Sequence, residues 1–280
     1  MQPADAPAAL WVDGHGEPRL SWPELHDGAW SLEGVRLSPT ESVVTEPPRS
    51  LPVPGDTAPD AIAVAALDVD RLLVAWREGA HLWAGVASTA GAGPPVLISE
   101  SASGALELLV AGADSAQLFW TERSRTFRVS IAVVGASTDI GAKQQAIASE
   151  LRAAALTDGG TLVFGLDRVA LVNTSSALDV LELGALAEGV PASSSFAAAA
   201  RGKSRLAVAW ADADGGVHAQ WLGTGRPHGV RPADGASIDD VQLAIGASGA
   251  WISWLESRDG EGVRIVKRLP EIFADGFEAG

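Results

Sequence analysis

Short apolar runs, broken by turns rich in Asp, Gly and Ser, recur from one end of the chain to the other. One set is crowded with small residues: Ala61–Leu67, Leu108–Gly112, Leu151–Leu156, Phe196–Ala200 and Leu243–Gly246. Runs this short, bounded by turn residues, predict strands rather than helices. A turn follows each, at Asp68–Asp70, Asp114–Ser115, Asp158–Gly160, Gly202–Ser204 and Ser248–Gly249, with Asp13–Gly16 in the equivalent place near the start. Asp, Ser and Gly tolerate the tight geometries of hairpins. Next comes a second run that ends on an aromatic residue: Leu72–Trp76, Gln117–Trp120, Leu206–Trp210 and Trp251–Trp254. It is apolar on nearly every residue, the pattern of a strand buried on both faces. A third run follows a further turn, as in Val217–Leu222 and Val263–Leu269. Outer strands are expected near Val43–Val44, Pro95–Ile98 and Val180–Leu183. Nothing carries the period of a long amphipathic helix, and Lys143–Ala153 reads equally as a short helix or a loop entering a strand.

The aromatic anchors make the pattern a repeat. Trp22-Pro-Glu24, Trp76-Arg-Glu78, Trp120-Thr-Glu122, Trp210-Ala-Asp212 and Trp254-Leu-Glu256 share a Trp followed two residues later by an acid, while Phe164-Gly-Leu166 fills the one gap with neither mark. Successive anchors lie 54, 44, 44, 46 and 44 residues apart. A period in the mid-forties is the length of one four-stranded blade, and six such units use nearly all 280 residues. The predicted fold is all-β: a six-bladed β-propeller with four-stranded antiparallel blades near residues 8–46, 60–100, 105–147, 149–185, 194–232 and 239–275, forming one domain over residues 1–280. The Ala- and Gly-rich runs suit the innermost strands, where six blades converge and large side chains would collide. Pro47–Pro59 is read as a long connection between blades one and two, either mobile or functional, and it accounts for the longest interval.

This layout resembles the general propeller families, whose sialidase-like, WD-type and fucose-lectin-like blades place an aromatic late in the second strand. The resemblance spans the chain without selecting one family. The S-x-D-x-G-x-T-W box of the sialidase group and the G-H…W-D pair of WD repeats are missing, and the further Trp that closes fucose-lectin repeats is not consistently present. The chain contains no Tyr, which excludes a retaining sialidase that uses a Tyr nucleophile.

Charge and composition narrow the partners. A net charge of −15 disfavours nucleic acid and anionic membranes. No apolar run approaches the roughly 18 residues of a membrane helix. With no Cys, disulfides and thiolate chemistry are absent. No apolar signal segment follows Met1, which leaves a cytoplasmic protein or a mature exported form. The segment Ile272-Phe-Ala-Asp-Gly-Phe-Glu278 resembles the I-F-x-D-G-F-E tail of exported gammaproteobacterial proteins, and that resemblance implies an extracellular or periplasmic protein whose signal peptide has been removed. Ile272 and Phe273 also read as the last outer strand, with Phe277 packed on the rim, and the two readings are compatible.

Alignment of the repeats on their anchors places Trp30, His81, Arg128, Arg168, His218 and Arg264 at one approximate position early in the third strand. The turns before these strands, and the acids Glu24, Glu78, Glu122, Asp212 and Glu256, are expected on the same propeller face. Arg forks, His and Trp faces and carboxylates are groups that orient sugars or acidic ligands. They also form a structural set, each acid pairing across its hairpin with its own cation: Glu78 with His81, Glu122 with Arg128, Asp212 with His218, Glu256 with Arg264. Leu166 replaces the acid in blade four, so Arg168 is left to meet an external anion. The anchor Trp residues are read as core, whereas Trp30, Trp83 and Trp221 in third strands can stack on a ligand.

No G-x-S-x-G, H-E-x-x-H, Walker or G-x-G-x-x-G motif is present. Asp212–Gly216 lacks the further ligands of a calcium loop and reads as a turn. No metal or other cofactor is expected. The reading favoured by these observations is an exported, non-catalytic protein that binds a glycan or protein ligand on one propeller face. An assembly scaffold and a carboxylate-dependent glycosidase or lyase are the alternatives.

Overall fold

Residues 7–13, 15–38, 43–50, 53, 57–157, 160–166, 169–172, 181–182, 195–201, 205–212, 214–221, 228–230, 237–246, 249–258 and 261–269 are described by a computed structural model. Every regular element among them is a strand. Blade one contains β1 (Ala9–Val12), β2 (Pro18–His26), β3 (Ala29–Leu37) and β4 (Val43–Thr45), and the two-residue β5 (Arg49–Ser50) follows. Blade two contains β6 (Ala61–Ala66), β7 (Arg71–Glu78), β8 (His81–Ser88) and β9 (Val96–Ser99). Blade three has β10 (Ser103–Gly112), β11 (Ser115–Glu122) and β12 (Arg125–Val134), with β13 (Ser137–Ile140) and β14 (Gln144–Ile147) both paired to β12. Blade four has β15 (Leu151–Thr157), β16 (Gly160–Gly165), β17 (Val169–Val172) and β18 (Leu181–Glu182). Blade five has β19 (Phe196–Arg201), β20 (Arg205–Ala211), β21 (Val217–Trp221) and β22 (His228–Val230). Blade six shows β23 (Ser237–Gly246), β24 (Gly249–Arg258) and β25 (Glu261–Arg268). Its expected outer strand and the Ile272–Glu278 segment lie outside the described residues.

All pairings are antiparallel, and most join strands that are neighbours in sequence within one blade. The innermost strands β1, β6, β10, β15, β19 and β23 touch in that order, and β23 returns to β1. This closed ring is a six-bladed β-propeller. Its closure is polar as well as apolar: the Leu10 amide donates to Gln242 Oε1 and Gln242 Nε2 donates to the Ala8 carbonyl, each at 2.6 Å. At the other end of β23, Gly246 lies so close to the Gly16 carbonyl that any Cβ there would overlap it. β5 is an unexpected wedge that pairs with both β3 and β8 and so joins the sheets of blades one and two. The ambiguous stretch near Lys143 becomes β14 followed directly by β15, with no helix.

The core lies in the seams between blades. Four of the Trp anchors face the preceding blade: Trp76 packs against Leu32 of blade one, Trp120 joins Leu73 and Ala75 of blade two, Trp210 meets Phe164 of blade four, and Trp254 joins Ala209 of blade five; Phe164 faces the following blade instead, beside Phe196. Trp76, Trp120 and Trp254 are fully buried, and Phe164 nearly so. Seams filled by large side chains, around an axis lined by small ones, follow from the two classes of apolar run in the sequence.

Candidate functional site

The turns between second and third strands open on the face where the innermost strands begin, because first and second strands run antiparallel. The acid of each Trp-x-Glu pair sits there for a local reason. Residues two apart on a strand project from the same face, and the indole N–H of the anchor donates to the following Glu. The distances are 2.9 Å for Trp76–Glu78 and Trp254–Glu256, 3.3 Å for Trp22–Glu24 and 3.4 Å for Trp120–Glu122. Phe164 has no N–H to donate, and blade four has Leu166 where the acceptor would stand. Asp212 is one methylene shorter than Glu; its carboxylate accepts from the amides of Asp214 and Gly216 and meets His218 Nε2 at 2.6 Å. The His218 hydrogen bond, with the two amides, holds Asp212 below the usual carboxylate range against the opposing effect of burial.

The expected acid–cation hairpin pairs take the predicted form only in Asp212–His218. His81 is opposite Glu78 in register, but no hydrogen bond joins their side chains. Glu122 is opposite Arg125, not Arg128, and its carboxylate receives Lys143, Ser99 and the indole. Arg264 is opposite Leu255 and pairs with Asp240 instead of Glu256.

The candidate residues of the third strands share one end of the propeller but do not converge. His81 and His218 lie on the face that carries the anchors, opposite Glu78 and Trp210. Trp30, Arg128 and Arg264 are opposite Leu25, Phe119 and Leu255, on the other face of their sheets. A one-residue offset in a strand reverses the direction of the side chain. Arg128 is buried and held by Gln144 Oε1 at 2.9 and 3.2 Å. Arg264 turns to the axis. Arg168 lies outside the described residues.

The seams differ in what covers their aromatic rings. In blade three, Lys143 Nζ is 4.6 Å from the Phe127 centroid and 5.7 Å from that of Trp120. In blade five, His218 stacks on Trp210 at 5.4 Å, and in blade six Lys267 lies 5.5 Å from the Trp254 centroid. No such cation covers Trp76 or Trp83 in blade two among the described residues. Here Trp76 and Trp83 are cross-strand neighbours on one wall, with Glu78 and the exposed His81 beyond them, and Trp30 and Leu32 form the facing wall on blade one. Trp30 and Trp83 are only partly buried, yet their indole nitrogens are enclosed and have no hydrogen-bond partner. The exposure that Trp30 and Trp83 retain is therefore on their ring carbons.

Glu122 illustrates a filled seam. Burial would raise its carboxyl, but the Lys143 ammonium and the hydroxyls of Ser99 and Ser101 more than offset this, lowering it to about 2 from 4.5. The stability it contributes is therefore present above pH 4.5 and is lost as the pH falls towards 2. Glu122→Gln should cost about 2–3 kcal/mol at pH 7 and nothing near pH 2, measured as the difference between urea unfolding curves across that range.

A second concavity follows the axis, a cavity of about 860 Å³ walled by the six innermost strands and rich in Ala. Asp60, Arg77, Glu107, Arg152, Asp240 and Arg264 bring charge to it. On blade one, Glu24, His26 and Glu33 place potential ligand atoms within 4.8 Å of one another, and His26 Nε2 lies 3.7 and 3.3 Å from the two carboxylates. These three are the described residues that could hold a metal ion.

No protein-family model matches the chain, and no curated protein matches it in sequence. Solved structures do match. The fungal lectin of Aleuria aurantia, described as a six-bladed β-propeller with a novel fucose recognition mode, is 14% identical with a TM-score of 0.59, covering 94% of this chain and 93% of that one. The SapL1 lectin, solved with α-methyl fucoside, is 12% identical with a TM-score of 0.54, covering 95% and 96%. The Trypanosoma rangeli sialidase is 10% identical at 0.57; the match spans 94% of this chain and 54% of that enzyme. The chain shares their fold. At these identities nothing further transfers, and the site must be argued from this propeller's own residues.

The packing of Trp30 and Trp83 against one seam cluster, and the presence of Glu107 and Arg152 on the axis, were not accessible from anchor alignment. Trp83 was legible as a third-strand aromatic. Glu107 interrupts Leu106–Val110 as a lone charge in an apolar run, which is the signal a search for axial polar groups would use.

Proposed function

We propose that this protein is a non-catalytic carbohydrate-binding propeller acting outside the cytoplasm, with its open site in the seam between blades one and two. The observation that supports this reading is the contrast between seams: Lys143, His218 and Lys267 cover the aromatic rings of three blades, whereas Trp30 and Trp83 keep accessible ring surface. Indole faces stack on the C–H surface of a sugar, and Glu78 and His81 can orient its hydroxyls. The fold likeness to two fucose-binding lectins makes fucosylated glycans the first class to test.

The test is a glycan array with the purified chain, repeated with Trp83→Ala and Trp30→Ala. Specific binding is expected, weakened at least about tenfold by either substitution, equivalent to about 1.4 kcal/mol. Binding unaffected by both would remove the seam as the site. A blank array would overturn the carbohydrate reading and favour a protein ligand.

A further inference from the structure

We propose that the axial channel is a second, separate binding site, which takes a small organic cation bearing a primary ammonium and holds it at Glu107. Glu107 belongs to β10 and lines the channel, together with Asp240 of β23. Both strands carry a bulge beside these residues, between Ser103 and Leu106 and between Asp239 and Gln242. Bulges re-aim side chains out of the regular alternation. Asp240 also has φ of 47°, the left-handed region that few non-glycine residues adopt.

The other charged groups on the channel are engaged within the protein. Arg264 pairs with Asp240, Arg77 with Asp60 at 2.7 Å and with the Gly104 carbonyl, and Arg152 lies over the Phe196 ring at 4.8 Å. Glu107 alone has neither a hydrogen-bond nor an ion-pair partner among the described residues. Around it the wall is mostly Ala, Leu and Val, which offer no donor. Burial, reinforced by the Asp240 carboxylate, pushes its carboxyl up to about 8. An ammonium would give Glu107 its missing partner and relieve its repulsion with Asp240; the engaged arginines leave an anion less to gain. The cavity volume is within the usual range for small-molecule sites.

Calorimetry with butylammonium tests this, with 1-butanol as the uncharged match in shape. At pH 7 Glu107 is mostly protonated, so binding should release close to one proton per ligand, read from runs in buffers of low and high ionisation enthalpy. Affinity should rise about tenfold per pH unit below pH 8, as the ligand ceases to compete with that proton. Glu107→Gln should abolish both binding and proton release. Its strand circular dichroism and glycan binding would show that it is folded. The proposal is overturned by no binding at up to about 10 mM ligand, by equal binding of butanol, by binding without proton release, or by unchanged binding in the Gln variant. None of these outcomes bears on the glycan site, whose test uses other residues and another ligand.

Discussion

Glu107→Gln should resist denaturant better than the parent at neutral and alkaline pH, with a difference that grows from about pH 4.5 to about pH 8 and then stays level. In the folded chain the carboxyl titrates near 8, against 4.5 for an unperturbed Glu, because burial in the channel disfavours its charged form and Asp240 repels it. Between those values the folded state holds a proton that the unfolded state has released. Stability therefore falls as pH rises through the window, by up to 1.36 kcal/mol per unit for one proton. Across the whole window the parent should lose about 3–5 kcal/mol that the Gln variant keeps. Urea unfolding of both proteins from pH 4 to 9 measures the gap. Glu122 acts in the opposite sense and in a lower window, and it is present in both proteins, so its contribution cancels in the difference. Parallel curves would mean that Glu107 is ionised in the channel at neutral pH.

The repeat was legible because it rests on a few large apolar side chains whose burial the seams require. Five Trp anchors and one Phe, with Ala-rich runs before them, were enough to identify six blades and their order. Register was not legible. Arg128 and His218 both lie eight residues after their anchors, and His81 and Arg264 lie five and ten after theirs, but the intervening turns differ in length. Residues at one approximate position therefore fall on opposite faces, and Glu122 and Glu256 do not meet the partners that the alignment offered. Two of the innermost strands, β10 and β23, begin earlier than their apolar runs, at Ser103 and Ser237, since each continues past a bulge into polar residues. Glu107 and Asp240 lie in those extensions. A charge beside a bulge reads in sequence as the end of a strand, which is why the channel's polar groups could not be placed from pattern alone. The open seam depended on a further non-local fact, that Lys143 and Lys267 reach over aromatic rings while blade two has no equivalent among the described residues.

Trp76→Ala should be among the most destabilising single substitutions in the chain, costing about 3–5 kcal/mol by chemical denaturation. The side chain is fully buried between blades one and two, and its loss both opens a void and deprives Glu78 of the indole donor at 2.9 Å. Trp76→Phe separates the two effects. It keeps most of the ring but removes the N–H, while Glu78→Leu keeps the indole and removes its acceptor. Each alone should cost about 1–3 kcal/mol, because a buried polar group loses its partner. Combined, they recreate the Phe-x-Leu of Phe164 and Leu166, and the double variant should be at least about 1 kcal/mol more stable than the sum of the singles. The same cycle at Trp254 and Glu256, joined by an identical bond, should give a similar coupling. At Trp210 and Asp212 it should give little, since the shorter carboxylate is committed to the turn amides and His218. Additive costs at Trp76 and Glu78 would mean that the acid recurs for some reason other than the indole, and blade four's joint loss of both residues would then be coincidence.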